Sequence, residues 1–152
     1  MGDKYWQYRE AIVRCELFII RVLGFNLRAT LPHTYLTYHL RSLTNWVFAI
    51  VERKDSDEAR EADCRLAALT NTCWSILMDC FHSPLISLDV DPCHLSVCVI
   101  YMGLECFGIE VPLNQNDGTP WYTALSDDLT INDIQDTVSE IIGLYEVETQ
   151  AC

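Results

Sequence analysis

"PHTYLTYHLRSLTNWVFAIV", Pro32 to Val51, decides the fold class. Leu36, Leu40, Leu43, Val47 and Ile50 recur at steps of four, three, four and three. That period lays one apolar stripe along a long helix and does not fit the alternation of a strand. Pro32 suits the first turn, where its missing N–H leaves no bond unmade. Toward the C-terminus the charged run "ERKDSDEARE" breaks the stripe, and Ser56 or Asp57 is expected to cap the next helix. That helix continues through "CRLAALTNTCWSILMDCF" and ends at His82-Ser83-Pro84. In "DVDPCH", Asp91 is the next N-cap with Pro92 at the first helical position, and Leu95, Val99, Met102 and Cys106 form a stripe stopped near Gly108.

After the loop "VPLNQNDG", Thr119-Pro120 opens a short helix through "WYTAL". Thr130 caps the last helix, where Asp133 favours the first turn and Ile131, Ile134, Val138, Ile141 and Tyr145 step by three, four, three and four. No stretch alternates with period two for long enough to read as a strand. The expected fold is therefore all-α: one N-terminal helix, a link near Asn26–Thr30, and about five helices in a bundle.

Composition narrows the function. With 152 residues, half of them hydrophobic, the chain can bury a full core. A net charge of −12 (10 basic against 22 acidic residues), with no basic stripe, argues against a nucleic-acid partner. The acids gather at Asp55–Asp63, around Asp89–Asp91, at Asp127–Asp128 and near the C-terminus, and are expected to be solvated faces and helix caps. "MGDKYW" lacks the apolar segment of a secretion signal, and Trp6 stands where a myristoylation motif wants Ser or Thr. The apolar run Cys93 to Leu104 is too short to cross a bilayer.

Eight cysteines include no C-x-x-C pair, so free thiols in a reducing, intracellular compartment are expected, with no metal or cofactor. His33 and His39 lie six apart and do not form a metal pair at helical spacing. His82 and His94, with Cys80 and Cys93 beside them, are the one candidate metal cluster, and a small metal-dependent enzyme would rest on it alone. No arrangement of nucleophile, base and orienter is visible, so catalysis is not expected.

The N-terminal helix poses the sharpest question. On a wheel at about 100° per residue, Glu10, Arg14 and Arg21 share a solvated side. Glu16 does not join them: its neighbours three and four residues away are Ile12, Val13, Ile19 and Ile20. A carboxylate among aliphatics needs a cation, several donors, or a surface that a partner covers. Arg9, seven residues back, is the loose intramolecular candidate.

"YREAIVRCELFIIRVLGFNL" followed by "PHTYLTYHLRSL" resembles the last helix of a first cyclin box running into a second. The segments "NWVFAIV", "GIEVP", "PWYTALSDDLT" and "VSEIIGLYEVET" extend the resemblance to the cyclin family over almost the whole chain. It implies a remnant of the first box at residues 1–28 and a second cyclin box at 29–152. It also implies a regulatory subunit, active in cell-cycle or transcription control in nucleus or cytoplasm, that binds and activates a cyclin-dependent kinase of the cyclin-dependent kinase 10 type. Glu16 would belong to a Lys–Glu pair that grips the kinase, while Ile20, Phe25 and Leu27 would meet its mobile regulatory helix. "LPHTYL" departs from the family's usual "HPHKYL"-like start of the second box.

The family pattern further implies about four helices ahead of residue 4, one bearing the Lys, so a truncated form, a gene-model fragment or a deliberately cut piece is expected, with weak kinase binding or none from this chain alone. Ile12, Val13, Cys15, Phe18, Ile19, Val22 and Leu23 should then be uncovered, and residues 4–25 metastable or docked on a core formed by 30–148. Limited proteolysis followed by mass spectrometry checks this: nicking within residues 4–25 is expected to outpace nicking in the core. The competing reading is a stand-alone acidic helical interaction module that engages no kinase.

Overall fold

The computed structural model describes the backbone of residues 2–51, 56–111 and 118–150, and their side chains except at 46–51, 56–63 and 147–150. The side chains of the stripe positions Val47 and Ile50, of the candidate caps Ser56 and Asp57 and of the acids up to Asp63, together with most of the loop after Val111 and Cys152, lie outside the described residues. The described chain is all-helical: α1 (Asp3–Val22), α2 (Pro32–Val51), α3 (Ser56–Cys80), α4 (Pro84–Asp89), α5 (Pro92–Phe107), a 3₁₀ turn (Trp121–Ala124) and α6 (Ile131–Gln150). It divides into two compact units, Met1–Thr30 and Leu31–Cys152.

Within the second unit α5 is the central element, in contact with α2, α3 and α6. Its sequence "PCHLSVCVIYMGLECF" has almost no charge to turn toward water, and Leu95 through Ile100, Gly103 and Leu104 are all buried. A helix that is apolar on every side must be surrounded. The expected stripe of Leu95, Val99, Met102 and Cys106 is too narrow: Cys106 is exposed, while Val97, Cys98 and Ile100 are fully buried. Around α5, Leu36, Leu40 and Leu43 of α2 join Leu66, Leu69 and Leu77 of α3 and Ile141 of α6 in one core. Each such side chain contributes about 2 kcal/mol by leaving water. Val97 and Cys98 form a smaller cluster with Leu129 and Ile134.

Both ends of α5 follow from its sequence. The Asp91 carboxylate accepts the N–H groups of Cys93 at 2.8 Å and His94 at 3.4 Å, ahead of Pro92 in the first turn. At the other end Gly108 adopts φ 58°. Its N–H bonds to Glu105 O at 3.1 Å and that of Ile109 to Leu104 O at 3.0 Å, closing a Schellman turn that a Cβ would strain. α6 opens with a reciprocal cap. Thr130 donates from its hydroxyl (2.6 Å) and its backbone N–H (3.0 Å) to the Asp133 carboxylate, and the Asp133 N–H returns to the hydroxyl at 3.3 Å. Those two bonds, the hydroxyl's first, hold the Asp133 carboxyl below its ordinary range.

Three expectations about element ends and caps need correction. α3 ends at Cys80 rather than at His82, and Pro84–Asp89 forms a helix that periodicity did not reveal. At six residues α4 is too short to show a stripe: only Ile86 is buried, and Leu85 and Leu88 face solvent. Of the acid pairs read as caps, only Asp91 is one. Asp89 is the last residue of α4, and Asp127 and Asp128 leave the capping of α6 to Thr130.

Candidate docking surface

α1 has a face for every solvent direction and a core for none. It contains no buried residue, and Ile20 alone among the described residues of its unit is half-buried. Tyr5, Trp6, Tyr8, Ile12, Val13, Leu17, Phe18, Ile19, Val22 and Leu23 are all exposed, as is Cys15. Such an accumulation of apolar side chains exceeds what a protein surface ordinarily leaves in water. Glu10 and Arg14 pair at 2.6 Å on the polar side. Glu16 is exposed and, among the described residues, has no ion-pair partner. The loose pair with Arg9 does not form; the Arg9 guanidinium lies 5.6 Å over the Trp6 ring instead.

The exit of α1 is more specific than its body. The Gly24 N–H bonds to Arg21 O at 3.0 Å and the Phe25 N–H to Ile20 O at 2.9 Å, a Schellman turn with Gly24 at φ 58°. The chain then stays left-handed for a second residue: Phe25, at φ 59°, is the one non-glycine with positive φ among the described residues. A bulky side chain in that region is an outlier that its surroundings must hold in place. Here the holding bonds include Asn26 N–H to Leu23 O at 3.0 Å. The result presents Phe25 at 73 % exposure, with Leu27 exposed two residues on. Of the four residues singled out from the sequence, Glu16, Phe25 and Leu27 thus lie open and Ile20 lies half-covered.

Among its described residues the second unit holds no comparable gathering of exposed apolar and charged side chains. Among the described residues no three His, Cys, Asp or Glu side chains come together as metal ligands. In the 80–94 region, the His82 ring approaches Asp79 O at 3.2 Å, Cys80 is fully buried, and the Cys93 thiol faces Leu125 O at 4.0 Å. A shallow groove of about 480 Å³ is lined by His33, Thr34, Thr37, Tyr38, Arg41 and Trp74. In it the His33 ring stacks on Phe81 at 5.2 Å.

One buried polar pair escaped the sequence reading. His39 (3 % exposed) and Ser96 (0 %) meet at 2.8 Å between α2 and α5. The Ser96 hydroxyl donates to Cys93 O at 2.7 Å, so its oxygen accepts the proton on His39 Nδ1. Burial pushes the His39 pKa down, keeping the ring neutral. The signal was available: His39 sits three residues after Leu36 and four before Leu43, inside the apolar stripe.

Burial also silences the interior thiols. It raises Cys73 and Cys80 to about 12, helped by Cys106 and Asp79 respectively, and Cys98 to about 11. Brief maleimide treatment of the native protein is expected to label Cys15, Cys64 and Cys106, which are exposed, and to spare the buried Cys73, Cys80 and Cys98 until denaturant is added. Peptide mass spectrometry reads the pattern; early labelling of Cys98 would contradict the α5–α6 contact. No protein-family model matches the chain. Among the described residues no helix is long and apolar enough to cross a membrane.

Proposed function

We propose that the chain is a cyclin-like regulatory subunit whose α1 and its exit dock on a cyclin-dependent kinase of the cyclin-dependent kinase 10 type, in nucleus or cytoplasm. In this reading residues 29–152 are a second cyclin box, α1 is the last helix of a first, and the likeness within the family is to cyclin-Q. The observation that carries it is Phe25. An aromatic held at positive φ and left open to solvent, nine residues beyond an exposed Glu16 on an apolar helix, is a strained arrangement without benefit to the core. Its use lies in a partner. The subunit contributes no catalytic group; it shifts the kinase toward its active arrangement through contacts made only in that state.

Binding of the purified kinase, read by pull-down and by calorimetry, tests this. Phe25→Ala is expected to weaken the complex by about 2 kcal/mol, or about thirtyfold, as truncation of an interface aromatic does. Glu16→Lys should weaken it as well. Kinase binding that is indifferent to both substitutions would remove this surface from the interface. Absence of binding that persists when the Lys-bearing first-box helices are supplied favours the second reading, an acidic helical module with another protein partner.

A further inference from the structure

The positions of the exposed apolar residues on α1 carry more than their number. Tyr5, Tyr8, Ile12, Cys15, Ile19 and Val22 follow one another at steps of three, four, three, four and three. All six are exposed. This is an unbroken a/d heptad seam over a 20-residue helix, the pattern by which two helices supercoil. Charge then selects the partner and its direction. With Tyr5 at a, Arg9, Glu16 and Leu23 fall at e, and Lys4, Ala11 and Phe18 at g. A parallel pair of such helices would set Lys4 against Arg9 of its mate, two like charges. An antiparallel pair in full overlap seats Tyr5 against Val22, Tyr8 against Ile19 and Ile12 against Cys15 of the mate. Arg9 of each copy then faces Glu16 of the other, twice by symmetry, with the small Ala11 residues near the axis.

We infer that α1 is a self-pairing helix: a second copy of this chain covers its heptad seam in an antiparallel two-helix interface, with Arg9 and Glu16 in reciprocal ion pairs. This gives Glu16 a cation that no described residue of its own chain supplies. It also adds a regulatory consequence to the kinase reading, without resting on it. A paired α1 hides Glu16, whereas Phe25 lies beyond the seam, so self-association and kinase docking compete for one carboxylate.

Sedimentation velocity of the full chain over about 1 to about 200 µM, a span that covers micromolar affinities, is the test. A monomer–dimer equilibrium is expected, weakened about tenfold by Arg9→Glu or by Glu16→Arg and restored when both are combined, because each single reversal creates two like-charge contacts. Far-UV circular dichroism of each variant checks that helix content is kept. Oxidation supplies a second readout: Ile12→Cys should yield disulfide-linked dimers through Cys15 of the mate, which the wild type should not form. A monomer throughout the range overturns the inference. So does a dimer indifferent to the charge reversals, or ready cross-linking of wild-type Cys15 to itself, the mark of a parallel pair. All measurements are made without kinase, so their failure and that of the docking reading are separable.

Discussion

Gly103→Leu is expected to destabilise the second unit by about 3 kcal/mol, read as a fall in the urea midpoint at unchanged slope. The reason is the approach of α5 to α3. A Cβ built at Gly103 would lie 2.7 Å from the Cys73 sulfur and 2.9 Å from a Leu69 methyl. Both side chains are fully buried, so neither has free space to move into. Glycine inside a helix costs about 1 kcal/mol relative to alanine, which Gly103→Ala regains while forcing only one carbon into the contact. Its net effect should therefore be small. Leucine adds three further carbons with no further gain in propensity. If the sulfur is what obstructs, Cys73→Ala combined with Gly103→Ala is more stable than the sum of the single changes predicts, since the two positions share one space. Additive behaviour would place the obstruction at Leu69 instead.

That contact explains why some of this molecule could be read in advance and some could not. Helices with one wet side announce themselves. The Leu36–Leu40–Leu43 stripe of α2 and the Ile134 and Ile141 positions of α6 are buried where their period put them. Caps are equally legible, because Asp91-Pro92, Gly108 and Thr130–Asp133 act through neighbours in sequence. α5 was read too narrowly because a surrounded helix has no polar side from which to measure a stripe, and Gly103 has meaning only once α3 lies against it. α4 was missed because six residues hold too few turns for a period. The candidate surface divides in the same way. That Glu16 stands among aliphatics is a fact of spacing, and so is the Gly24 turn signal. That Phe25 continues the left-handed turn, and that His39 finds Ser96, depends on backbone geometry and on a residue 57 positions away, to which local pattern is blind.

The His39–Ser96 pair supplies the second large effect. Ser96→Ala is expected to cost about 2.5 kcal/mol, because a buried ring nitrogen is left without a partner whichever tautomer the imidazole adopts. His39→Leu together with Ser96→Ala should recover most of that loss, since an apolar pair of similar shape has nothing left unsatisfied. Acid adds an independent check. Burial lowers the His39 pKa, so below its ordinary value of 6.5 the unfolded chain takes up a proton that the folded chain refuses. Stability from this residue is thus complete above about pH 7.5, one unit beyond the ordinary histidine value, and declines as the pH falls through 6.5 toward the lowered native value. Urea midpoints at about pH 7.5 and pH 5.5 should diverge more for the wild type than for the double variant, which has no imidazole at this position to titrate. An equal divergence in both would assign the acid sensitivity to other groups and leave the polar pair as a packing feature. A smaller divergence in the double variant would make His39 the group through which mild acid loosens the contact of α2 with the central helix.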